Sequence, residues 1–241
     1  MKTKIILATI LFSTLLIGCI GNFTFIDPSD SVNTKEYEFS NYSTLEVSHA
    51  FKVNIQFSDV EEKIVIEAND NLHQYIEVSK EGNTLHIGLE NGIHVGRNAT
   101  LKAFIRTKSL NSFSASGASR ITCADTVKEN SIVIGLSGAS YFSGELVSDN
   151  LETDLSGAST TEISGSVTNC SISASGASNV KDYELFVDFM HADLSGASNV
   201  YVTVNKEINV DASGASHFYY KGGATIVNKD VSGASNIIKK D

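Results

Sequence analysis

Four aspartates, Asp154, Asp193, Asp211 and Asp230, stand at one offset in a repeating sequence, each two residues ahead of a Ser-Gly-Ala-Ser tetrapeptide. If successive repeats stack as strands, residues at one offset form a column about 4.8 Å apart. Carboxylates at that distance repel, and a hard cation with oxygen ligands would relieve them. One column supplies fewer converging ligands than a Ca²⁺ site takes, so the same residues also read as a solvated acidic stripe on an outward-facing strand. Other reactive side chains are scattered. No two of the six histidines, His49, His73, His86, His94, His191 and His217, have metal-ligand spacing on a shared element. The repeated serines have no recurring His or Asp partner, and Gly-x-Ser-x-Gly does not occur. Tyr219 and Tyr220, near Phe218 and Tyr201, could form an aromatic sugar-binding patch, with alternate members turned into the core instead. A glycan-cleaving site needs carboxylates grouped with Lys or Arg on one face. The repeats are monotonous, and arginine occurs only at Arg97, Arg106 and Arg120. The residues therefore point away from an enzyme, name no catalytic group and imply no cofactor. The alternatives are a polysaccharide-binding or -degrading protein and a cation-stabilised spacer.

The element that must position the aspartates is the repeat itself. Ser-Gly-Ala-Ser begins at Ser116, Ser137, Ser156, Ser175, Ser195, Ser213 and Ser232, at spacings of 21, 19, 19, 20, 18 and 19 residues. The residue before each copy is apolar: Ala115, Leu136, Leu155, Ala174, Leu194, Ala212 and Val231. Two residues after each copy stand Ile121, Phe142, Val180, Val200, Phe218 and Ile237, with Thr161 the exception. This in/out alternation is strand periodicity. A period of this length holds two or three short strands and tight turns, which is one coil of a parallel β-helix. Glycine in every copy (Gly117, Gly138, Gly157, Gly176, Gly196, Gly214, Gly233) predicts a bend with positive φ or a space too tight for Cβ. The coil spacing predicts that the Ser hydroxyls bond to backbone groups at the bend rather than to one another.

Around these units the chain resembles the auto-transporter adhesin, head GIN domain family. The resemblance covers roughly residues 37–241. It rests on the D-L-S-G-A-S-N-V unit at Asp193–Val200, its partial copy at Asp154–Thr161, and the segments Leu45–Phe57, Ile64–Val78 and Leu85–Leu89. Members typically repeat Ser-Gly-Ala-Gly, whereas the fourth position here is Ser in every copy. The resemblance implies an all-β fold, a single-stranded right-handed, pectate-lyase-like parallel β-helix of about 19–20 residues per coil, displayed at the cell surface. It carries over no catalytic residue.

Residues 37–110 lack the tetrapeptide but alternate over Leu45–Phe57, Lys63–Ala68, Tyr75–Ser79, Leu85–Leu89 and Leu101–Arg106. Ser48-His49-Ala50-Phe51 followed by Val53 reads as a degenerate early copy. The segment is expected to form irregular N-terminal coils and a cap, with a separate small β domain as the alternative; residues 111–241 form the seven regular coils. Lys239, Lys240 and Asp241 place charge on the last strand, which protects an open edge.

Composition and the N-terminus give an address. Lys and Arg total 18 against 28 Asp and Glu, a net charge of −10, which disfavours nucleic acid as a partner. Lys2 and Lys4 precede an apolar run, Ile5–Ile17, too short to span a membrane comfortably. The run ends Leu16-Ile17-Gly18-Cys19, which resembles a lipoprotein lipobox; an ordinary signal peptide is the alternative. The expected organisation is a signal peptide over 1–18, lipidation at Cys19, and a polar tether over 19–36, giving a membrane-anchored surface protein. Its partners would be the membrane, through the lipid, and a surface glycan or protein. Sequons at Asn22, Asn41, Asn98 and Asn169 are compatible with export. Cys123 and Cys170 lie in different registers about two coils apart, too far for a disulfide, and are expected as buried thiols.

Overall fold

Strand alternation at a near-fixed period builds a β-solenoid. The computed structural model describes residues 23–241 except residue 182. Its strands are β1 (Thr24–Ile26), β2 (Val32–Tyr37), β3 (Thr44–Val47), β4 (Lys52–Phe57), β5 (Lys63–Asn69), β6 (Ile76–Glu81), β7 (Thr84–Leu89), β8 (Ile93–Val95) and β9 (Leu101–Thr107). The repeat region adds β10 (Ser112–Ala115), β11 (Arg120–Cys123), β12 (Val127–Lys128), β13 (Ser131–Leu136), β14 (Tyr141–Leu155), β15 (Thr160–Ala174) and β16 (Asn179–Lys181). It closes with β17 (Leu185–Leu194), β18 (Asn199–Ala212), β19 (His217–Lys221), β20 (Thr225–Val231) and β21 (Asn236–Lys239). A 3₁₀ turn, Asp70–Tyr75, separates β5 from β6.

Strands from β10 onward pair in parallel, each with the equivalent strand one coil away. The strands preceding the tetrapeptide stack in the order β10, β13, β14, β15, β17, β18, β20. Those following it stack as β11, β14, β15, β16, β18, β19, β21. Parallel stacking turns each sequence offset into a physical column. The apolar offsets point inward: Phe142, Val180, Val200 and Phe218 are fully buried, as are Ile172, Ala192 and Val210. Thr161, the exception in its column, is buried too and matches Val in shape. Burying one such side chain contributes roughly 1.5–3 kcal/mol, so the coils are held by a stack of small, additive contacts.

The serines at the fourth tetrapeptide position line the interior. Ser178, Ser198 and Ser216 donate to the carbonyls of Ser175, Ser195 and Ser213 at 2.7, 2.8 and 2.9 Å. The expectation that no hydroxyls meet along the column is corrected. Ser159 and Ser178 Oγ lie 3.3 Å apart, and Ser216 and Ser235 Oγ 3.2 Å. Side chains that lean along the solenoid axis close the gap that the backbone spacing leaves.

The N-terminal part is not a simple run of coils. β7, β3 and β10 pair in parallel, as do β9, β4 and β11, which continues both stacks. β5, however, runs antiparallel to β2 and β9, and β6 antiparallel to β7. Hairpins thus close the first coils and cover their core, and one hydrophobic cluster runs from Tyr42 through to Tyr220 with no separate domain among the described residues. The expected tether is corrected as well. Within it, β1 pairs with β8 and β2 with β5, so residues 24–26 and 32–37 belong to the folded body. Neither segment alternates in a way that sequence would reveal; β2 is almost wholly exposed.

At the far end the core columns stop on charge. Lys229 follows Val210 in one inward column, and Lys239 follows Tyr220 in another. Lysines at these inward offsets of the last coil oppose the addition of another strand.

Candidate functional site

The tetrapeptide makes the corner that sets the outer columns. All seven repeat glycines adopt φ between +69° and +78°. Each following Ala N–H, from Ala139 onward, donates to the Gly carbonyl of the previous coil at 2.7–2.8 Å. A Cβ built on Gly138 and on the five repeat glycines after it would lie 2.5–2.6 Å from that carbonyl oxygen. The corner therefore requires glycine twice, for backbone sign and for close approach.

An earlier corner uses no glycine. Ser48-His49-Ala50 sits beneath Gly117, and His49 and Ala50 have φ of +58° and +63°. Ser48 Oγ–H and the Leu89 N–H both donate to His49 Nδ1, at 2.7 and 3.3 Å. A backbone N–H can only donate, so Nδ1 is the acceptor and the ring is neutral with its proton on Nε2. Burial lowers the His49 pKa in the same sense, with His94 adding to it.

Outside the corner, the predicted aspartates share one column. Asp193, Asp211 and Asp230 occupy successive coils, while Ser173 separates Asp154 from Asp193. The column extends through Gly135 and Ser114 to Glu46, which sequence reasoning did not place there. The signal was present: Glu46 stands two residues before Ser48 in the degenerate copy, the same offset as the aspartates. The aspartates and the first serines of the tetrapeptides line a groove of about 660 Å³ along the solenoid. His191 Nε2 approaches Asp193 at 3.3 Å from the next outward column. In that column and the one beyond it, Asn209–Asn228 and Asn150–Asn169 form amide ladders at 3.0 and 3.1 Å. The arrangement presents carboxylates, hydroxyls and amides at coil spacing on one open face. Among the described residues no three His, Cys, Asp or Glu side chains converge to hold a metal ion.

The tyrosine patch is divided as alternation requires. Phe218 and Tyr220 are buried, whereas Tyr201 and Tyr219 face outward and stack at 4.6 Å. Tyr183, which sequence reasoning missed, meets Tyr201 edge-on at 5.6 Å. It lies in an irregular coil between β16 and β17, so its offset gives no warning. Cys123 and Cys170 are free buried thiols, and burial pushes both up to about 12. Cys19 lies outside the described residues, as does the expected signal peptide. Among the described residues no helix is long and apolar enough to cross a membrane.

Fold and surface together define a class: a β-solenoid whose tight inner corners array repeated polar columns on an open groove. Over residues 41–224 the chain matches the family described as "Putative auto-transporter adhesin, head GIN domain", and it belongs to that family. Its fold is similar to that of a putative adhesin from Bacteroides fragilis, at 20% identity and a TM-score of 0.83, over 89% of this chain and 100% of that one. It is also similar to a putative lipid binding protein from Parabacteroides distasonis, at 19% identity and a TM-score of 0.70, over 90% and 100%. A putative adhesin from Parabacteroides merdae shares 15% identity with a TM-score of 0.66, over 90% and 99%. No curated protein matches the chain.

Proposed function

We propose that this protein is a non-enzymatic binding module of adhesin type, exported and held at the cell surface by a lipid on Cys19. The observation that carries the binding role is the groove. Its outer columns repeat from coil to coil, so a polymeric partner with its own repeat, a surface glycan or an extended protein segment, can make the same contact several times. Repeated weak contacts on a rigid frame add without further ordering cost. The basic n-region, short apolar run and Leu-Ile-Gly-Cys ending support the anchor.

The test is a glycan-array screen of the Cys19→Ser protein, run with Ca²⁺ and with chelator. Binding without product formation is the expected result; cleavage of any glycan would replace this reading with an enzyme. The anchor is tested separately: Cys19→Ser should move the protein from the membrane fraction to the soluble one, and unchanged membrane association would overturn it. The adjacency of Asp193, Asp211 and Asp230 supports a second reading, a cation-stabilised spacer. No glycan binding, with a melting temperature raised by Ca²⁺ in wild type but not in Asp211→Asn, would favour it.

A further inference from the structure

We propose that the N-terminal end of the solenoid rests on the lipid surface, with Phe23 and Phe25 seated among the headgroups; this builds on the lipid-anchor reading of Cys19. β1 has one neighbour only, β8, in the parallel register Thr24↔Ile93, Phe25↔His94 and Ile26↔Val95. Ile26 and Val95 pack against the main core, which fixes this two-stranded ribbon to the body. Strand alternation then turns Phe23 and Phe25 the other way. They are 65% and 64% exposed, more than any other phenylalanine among the described residues. Phe23 also meets the His94 ring edge-on at 5.1 Å. The outward face of the ribbon is thus two phenyl rings and an imidazole, a cluster that the fold does not use.

The chain's own geometry says what covers it. Cys19 is four residues before Phe23, which is at most about 14 Å of extended chain. A lipid on Cys19 fixes the bilayer boundary within that reach. Aromatic side chains held there by a rigid ribbon sit at the depth where apolar faces of surface-bound segments bury themselves. β8 follows β7, the first parallel strand of its stack, through the turn Glu90–Gly92. Seating the ribbon on lipid therefore directs the regular coils, and the Asp193–Asp230 end of the groove, away from the membrane.

The chain contains no tryptophan, so Phe25→Trp gives a single fluorescent reporter. The lipidated full-length variant is reconstituted in vesicles of phosphatidylethanolamine and phosphatidylglycerol, with and without brominated acyl chains. Phe104→Trp, at a half-exposed site on β9, is the control. The expected result is a shift of the Phe25→Trp emission to shorter wavelength and quenching by the bromines, with the control unshifted and unquenched. If the protein sediments with vesicles but the indole introduced at position 25 emits as in water, the anchor stands and this inference fails. If the protein does not sediment with vesicles, the anchor fails and this inference falls with it. A shift that appears without vesicles and grows with protein concentration would assign the patch to a second copy and overturn the proposal.

Discussion

Replacing single glycines by alanine separates the two demands of the corner. At Gly176 both apply: φ is +73°, and a Cβ would stand 2.5 Å from the Gly157 carbonyl oxygen. Left-handed backbone costs an L-residue roughly 1–2 kcal/mol. The clash forces the coils apart where Ala177 N–H meets the Gly157 carbonyl at 2.7 Å, and losing that bond costs about 0.5–1.5 kcal/mol more. Gly176→Ala should therefore lose about 2–4 kcal/mol. At Gly117 φ is also +73°, but the nearest atom to a Cβ is the His49 nitrogen at 3.5 Å, so Gly117→Ala should lose only the roughly 1–2 kcal/mol of strain. Gly135 lies in β13 with no positive φ and nothing within 4 Å, so Gly135→Ala should be neutral or gain up to about 1 kcal/mol. Urea unfolding followed by far-ultraviolet circular dichroism ranks the three midpoints. Equal losses at Gly117 and Gly176 would show that the carbonyl contact contributes nothing. A Gly135→Ala protein as unstable as Gly176→Ala would refute the geometric argument altogether.

Two further outcomes follow from the core and the groove. The thiols of Cys123 and Cys170 are held at about 12 against 9.0 when unfolded, so the unfolded chain loses protons first above pH 9. Stability should be insensitive to these groups below pH 9 and fall as pH rises towards 12. Cys123→Ala/Cys170→Ala should flatten that fall, and native wild type should resist thiol reagents at neutral pH until urea opens it. Asp211 lies between Asp193 and Asp230, and neighbouring charges about 4.8 Å apart in water repel by about 0.9 kcal/mol per pair. Asp211→Asn should raise the thermal midpoint at low ionic strength, and added salt should erase the difference from wild type; a salt-independent difference would show that repulsion is not its origin.

What the sequence by itself determined is whatever depends on neighbours along the chain. Alternation of in and out is local, so the buried Val180, Val200 and Phe218 and the outward Asp193, Asp211 and Asp230 could be assigned from spacing alone. Glycine at one offset announced a corner because only backbone geometry explains its recurrence. The tertiary structure decided what depends on partners distant in sequence. Antiparallel capping by β2, β5 and β6 leaves no mark in a period count, because either pairing direction suits an alternating strand. β1 and β2 read as tether because their few apolar side chains stay largely exposed; backbone pairing, which any sequence can make, recruits them. His49 takes the corner without glycine because Ser48 and the distant Leu89 N–H hold its ring in place. Only stacking then puts Glu46 of that corner at the head of the column that Asp230 ends, since residues far apart in sequence become neighbours solely through the parallel register.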